Sequence, residues 1–177
     1  MIDYPEGLPC WAPGAADYLE SILEGNEVGF EWGGGASSIW LAPKIRRLMV
    51  VETSVEWADW ILSFTNKNIG VWVRDFKDLG YLGLARTCWP RPNLWLIDGY
   101  KRIECFEEVL DLAKPGDIIV CDDSADYLDG RAPAHAKTFS QPHPHAGIPI
   151  NHKKYGKLGN SLLKVHHATK DTTIWRA

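Results

Sequence analysis

The sequence has little that would place it in a class at first sight. Its cysteines, Cys10, Cys88, Cys105 and Cys121, stand far apart with no C-x-x-C pair, so neither a zinc site nor a disulfide framework is indicated. Positive charge is short: the formal net charge of −4 gives no basic excess to neutralise phosphates along a duplex, which disfavours an extended nucleic-acid surface. No apolar run approaches the length of a membrane span, and the opening MIDYPEGLPCWAPG has no basic-then-apolar signal pattern. A soluble cytoplasmic protein is the expectation. A Gly-Lys-Ser/Thr phosphate loop is missing, and so is any internal repeat.

What is present fits one compact domain: 177 residues, 45% of them hydrophobic, with nine tryptophans that read first as core. Short apolar, β-branched runs alternate with helix-like stretches, the pattern of an open α/β sheet with crossover helices. Strands are expected near Val28 to Trp32, Leu48 to Glu52, Gly70 to Asp75, Leu94 to Asp98 and Ile118 to Asp122. Helices are expected over Ala36 to Ala42, Ser54 to Phe64 and Lys101 to Ala113, the last stopped by Lys114-Pro115-Gly116. Ser161 to His167 and Thr172 to Arg176 read as a closing hairpin around Ala-Thr-Lys-Asp. Residues 1–26 read as an N-terminal helical extension. Residues 124–160 read as an irregular acceptor-side loop, in which His143-Pro144-His145 lacks the partners of a metal site.

The stretch FEWGGGASSIW carries the first chemical signal. Glycines where a strand turns into a helix let the backbone approach a ligand, and in an open parallel sheet that turn is the usual binding place. A dinucleotide fingerprint needs a third glycine where Ser38 stands, so a pyrophosphate is not favoured. Glu31-x-Gly33-x-Gly35, followed by Glu52 at the end of the second strand, resembles the class I S-adenosylmethionine-dependent methyltransferases. LMVVETSVEWADW, LWLIDGYKRIECFEEVLDLAKPGDIIVCDDS and TTIWR follow in the family's order and spacing.

That resemblance implies a Rossmann-like three-layer sandwich with a seven-stranded, mostly parallel sheet in the order 3-2-1-4-5-7-6, strand 7 antiparallel. It also implies a cofactor seat at Glu31, Gly33, Gly34, Gly35, Ser37, Glu52, Asp75 and Phe76. Glu31 would suit the cofactor's positive end and Glu52 its ribose hydroxyls. Asp75 reads equally well as an ordinary strand-end turn residue.

Asp98, Asp122 and Asp123 end neighbouring strands, and clustered acids repel unless they share a cation or a proton. The arrangement is similar to the metal site of cation-dependent O-methyltransferases of the macrocin and catechol types, with Mg²⁺ on the three aspartates and Lys101, three residues past Asp98, as the base. Trp11, Tyr18 and Trp89 are candidate walls for a small-molecule methyl acceptor. Two other readings stay open: a nicotinamide-dependent oxidoreductase, and a methyltransferase-like binding module without catalysis.

Overall fold

The structure, a computed structural model, describes residues 9–64, 68–128, 130–142 and 169–177. Five parallel strands form its centre: β1 (Val28–Trp32), β2 (Arg47–Glu52), β3 (Ile69–Val73), β4 (Leu94–Ile97) and β5 (Ile118–Asp122). With β6 (Lys137–Pro142) and β7 (Thr169–Arg176) they make one sheet in the order β3-β2-β1-β4-β5-β7-β6, and β7 runs antiparallel to both its neighbours. The expected strand order and the antiparallel seventh strand are both found.

Alternation along the strands builds two cores. Val28, Phe30, Trp32, Met49, Val51, Trp95 and Ile97 point to one face, where α4 (Leu79–Thr87) and α5 (Arg102–Leu112) contribute Tyr81, Cys105, Phe106 and Val109. Leu48, Val50, Leu94, Leu96, Ile118 and Val120 point to the other, covered by Leu19 of α1 (Ala15–Ile22) and by Trp40 and Leu41 of α2 (Ala36–Leu41). Helix α3 (Val55–Ser63) starts where Ser54 Oγ accepts the Trp57 N–H at 3.2 Å.

Three differences from the sequence reading are informative. The partner of β7 is β6, drawn from the stretch expected to be irregular, and β7 begins at Thr169, inside the expected hairpin turn; Ser161 to His167 lie outside the described residues. The segment Lys137–Pro142 mixes polar residues with one aromatic at an edge position, which leaves no clean alternation to read. Helix α4 has no counterpart in the expected elements, because Gly80 and Gly83 dilute its helical pattern; Asp78 caps it by accepting the Gly80 N–H at 2.8 Å. Finally, β3 and β4 stop at Val73 and Ile97, so Asp75 and Asp98 lie in the turns beyond.

The topology brings the turn after β1 against the turn after β4. Gly33 donates its N–H to Val51 O at 2.9 Å, and Asp98 donates to Trp32 O at 3.0 Å. Gly33 has φ +86°, and a Cβ on it would lie 2.4 Å from Gly99 Cα; a Cβ on Gly99 would lie 2.4 Å from the Tyr81 hydroxyl. Both positions need glycine. Gly33→Ala is therefore expected to lower stability by at least about 2 kcal/mol, combining left-handed strain with a backbone clash. Urea unfolding measures it, and a midpoint equal to wild type would contradict the packing.

Candidate functional site

All the expected site residues that end a strand or open the following turn gather at the carboxyl edge of the sheet, because the central strands are parallel and in register there. Their roles differ from one another more than the sequence suggests.

The three glycines of the first turn serve three purposes. Gly33 makes the close approach to Gly99. Gly34 packs inward, where a Cβ would meet Val50 Cγ1 at 2.5 Å and Ile61 Cδ1 at 2.6 Å. Gly35 has φ 180°, extended backbone open to any residue, and a Cβ there would have none of the described residues within 4 Å. Neither conformation nor packing against the protein explains a glycine at this position. Among the described residues nothing fills its bare face.

Glu31 sits beneath this turn, fully buried. Its two carboxylate oxygens accept from the hydroxyls of Ser37 and Ser38, each at 2.5 Å, and Ser38 Oγ also accepts the Gly35 N–H at 3.0 Å. The acid thus clasps the start of α2 to the end of β1. Each oxygen takes one serine hydroxyl, so Glu31 and Ser37 shape the seat from behind. Ser38, noted in the sequence only as a missing glycine, completes the clasp. Burial pushes the Glu31 carboxyl up to about 7; the serine hydroxyls oppose the rise and the nearby Glu52 charge adds to it.

Glu52 ends β2 with 7% of its surface exposed. Its Oε1 accepts the N–H groups of Thr53 and Ser54 at 2.7 and 2.8 Å and the Thr53 hydroxyl at 3.2 Å. Among the described residues no donor is placed on Oε2. Asp75 is exposed, and its Oδ1 accepts the Lys77 N–H at 2.9 Å, a turn-stabilising bond. Phe76 stacks on Tyr100 with centroids 4.7 Å apart and planes at 21°, linking the turns after β3 and β4 across the ends of the two strands between them. Tyr100 is held in place from its backbone, since its N–H donates to the Tyr81 hydroxyl at 3.0 Å.

The aspartates at the ends of β4 and β5 do not share an open ion site. Arg102, in the first turn of α5, places its guanidinium between them: Nη2 is 3.2 Å from Asp98 Oδ1 and Nη1 is 2.7 Å from Asp123 Oδ2. The same group donates to the carbonyls of Gly99 (3.1 Å), Asp122 (2.8 Å) and Asp98 (3.2 Å). Asp122, only 2% exposed, takes the Thr172 hydroxyl at 2.7 Å on Oδ1 and lies 3.3 Å from Lys170 Nζ on Oδ2. Among the described residues no group of three or more acidic, histidine or cysteine side chains is arranged to hold a metal ion. The donor set expected for Mg²⁺ does not fit that ion, because each of the three carboxylates already has one oxygen against a cation of the chain.

Burial, with the Asp122 charge beside it, holds Asp98 well above the usual carboxylate range, against the pull of Arg102 and Lys170. Burial raises Asp122 as well, with Lys170 opposing. Lys101 precedes α5 in the left-handed conformation, φ 53°, half-buried; among the described residues no partner is placed on its ammonium group.

Of the candidate acceptor walls, Trp11 is buried against Trp40 at 5.8 Å, next to Ala12, whose N–H donates to Thr172 Oγ1 at 2.9 Å. Tyr18 packs on Phe139, in register with Thr172. Trp89 lies at the opposite edge: its carbonyl accepts from Arg47, the first residue of β2, so it cannot line this site. Residue 129 and residues 143–160 of the expected acceptor loop are outside the described residues.

The sequence matches no protein-family model and no curated protein. Its fold is that of solved methyltransferase structures. The chain is similar to an O-methyltransferase from Bacillus cereus in complex with S-adenosylhomocysteine, at TM-score 0.63 and 17% identity, over 98% of this chain and 84% of that one. It is also similar to precorrin-8w decarboxylase from Methanobacterium thermoautotrophicum, at TM-score 0.60 and 14% identity over 98% and 95% of the two chains. An rRNA methylase from Streptococcus thermophilus matches at TM-score 0.58 and 11% identity over 99% and 98%. At these identities the likeness is one of fold. No helix among the described residues is long and apolar enough to cross a membrane.

The Glu31 clasp carries its own test. A carboxyl whose folded value is raised favours folding below its ordinary value of 4.5 and loses that advantage as pH rises to about 7. Across that window Glu31→Gln should gain on wild type by up to about 1.4 kcal/mol per pH unit in urea unfolding. Parallel pH profiles for the two proteins would contradict a buried, protonatable Glu31.

Proposed function

We propose that the chain is an S-adenosylmethionine-dependent methyltransferase directed at an oxygen of a small molecule. The observation that carries the reading is Gly35: a glycine demanded by neither its backbone nor its neighbours, at the turn where an open α/β sheet binds ligands. Glu52 supports it, with one oxygen fixed by the turn and the other available to a ribose diol. The Phe76–Tyr100 stack offers an apolar flank for a base.

Bound S-adenosylmethionine supplies a sulfonium methyl that an acceptor oxygen takes, leaving S-adenosylhomocysteine. The chain's part is to seat, orient and handle the proton. Gly35 lets the backbone approach, the Glu31 clasp fixes the turn, and Asp98, beside Gly33, accepts the acceptor's hydroxyl proton. A carboxylate raised by burial is a better base than an exposed one, and Asp98 keeps 24% of its side chain exposed. Lys101, expected as the base from the resemblance, is the second candidate on the same turn.

An oxygen acceptor is favoured by the acidic strand ends and by the likeness to an O-methyltransferase. A small acceptor is favoured over RNA by the net charge of −4.

Calorimetry with S-adenosylhomocysteine and NAD tests the cofactor. S-adenosylhomocysteine should bind wild type, and Gly35→Ser, which keeps a good helix cap, should weaken it by at least about tenfold with little change in melting temperature, because a Cβ there meets none of the described residues within 4 Å. Binding of NAD without S-adenosylhomocysteine would sink the assignment.

Labelled methyl transfer to a pooled metabolite extract tests the base. Asp98→Asn should lose at least about 100-fold in rate, and Lys101→Met less than about tenfold. The rate should rise with pH as Asp98 ionises; the reverse order of the two variants would move the proton to Lys101.

A further inference from the structure

We propose that Arg102 and Lys170 are the resident cations of this sheet edge and stand in place of a divalent ion, so that methyl transfer at Asp98 is metal-independent. The inference rests on the methyl-transfer reading above and concerns the same site.

Each of the three strand-end carboxylates already has an ionic partner. Asp98 and Asp123 flank one guanidinium at 3.2 and 2.7 Å, and Asp122 faces Lys170 at 3.3 Å. Arginine keeps its charge at every relevant pH, so the guanidinium cannot give way by losing a proton. A divalent ion among these oxygens would sit against a fixed positive charge, and the repulsion offsets what the carboxylates offer.

The arginine is also locked by its other bonds. Three main-chain carbonyls, of Asp98, Gly99 and Asp122, accept from it, so it ties the ends of β4 and β5 together as well as neutralising them. Residues on either side adopt left-handed backbone, Lys101 at φ 53° and Asp123 at φ 48°. That shape is costly for non-glycine residues, at about 1–3 kcal/mol each, and persists where surrounding bonds fix it.

Access is the third argument. Asp122 is closed over by β7 and by the N-terminal segment, through the chain Ala12 N–H to Thr172 Oγ1 at 2.9 Å and Thr172 hydroxyl to Asp122 Oδ1 at 2.7 Å. A hydrated ion that keeps several waters has no free oxygen to reach there. Arg102 is thus a positioning residue: it holds Asp98 and the turn that carries it, in the role a metal would otherwise take.

The test titrates Mn²⁺ alone into the full chain by calorimetry and electron paramagnetic resonance. Wild type should show no saturable Mn²⁺ binding, and its affinity for S-adenosylhomocysteine should agree within about twofold in EDTA and in Mn²⁺. Arg102→Ala should gain at least about tenfold in Mn²⁺ affinity, because two carboxylates lose their counter-charge. Should that variant not fold, Lys170→Ala carries the same expectation at Asp122. Saturable Mn²⁺ binding by wild type, methyl transfer lost in EDTA and restored by Mn²⁺, or a folded variant without the gain would each overturn the proposal. Failure to bind S-adenosylhomocysteine under any condition would instead defeat the methyl-transfer reading, while the Mn²⁺ titration still decides which cation owns the site.

Discussion

The site depends on one close contact, the backbone of the turn after β1 lying against the backbone of the turn after β4. Gly33 and Gly99 meet with no room for a Cβ on either, and Tyr81 closes the gap beneath them. From that contact follow the position of Asp98, which donates its N–H to Trp32 O, and that of Gly35, two residues past Gly33, with its open Cβ side. A parallel sheet provides the two adjacent strand ends; the missing side chains allow them to touch.

Charge is answered by the chain's own groups on both sides of this contact. On one side burial raises the proton affinity of Glu31, and two serine hydroxyls, which hold the helix start, oppose that rise. On the other, three aspartates are answered by an arginine and a lysine. Partly buried ion pairs of this kind contribute little net stability; what they fix is geometry. Here they set the relative position of β4, β5 and β7 at the edge where chemistry is proposed.

Much of the fold was legible because its signals are local. The five central strands announce themselves as short apolar runs, and Glu31, Gly33, Gly35 and Glu52 fall at strand ends readable from the same pattern. Helix α4 was hidden by its two glycines and β6 by an edge position that relaxes alternation. At the site, the carboxylates could be read but their partners could not. Arg102 had a local signal, four residues after Asp98 at a helix start, whereas Lys170 reaches Asp122 only through the antiparallel pairing of β7, which places residues some fifty positions apart side by side. The three glycines looked equivalent in sequence, and only the packing around each separates clash, core and open space.

The most direct measurement is a crystal structure of the chain with S-adenosylhomocysteine. The account predicts the ligand against the bare face of Gly35 with its ribose on Glu52, and the Arg102 guanidinium still between Asp98 and Asp123. Ligand density away from that turn, or a divalent ion in the place of the guanidinium, would contradict it.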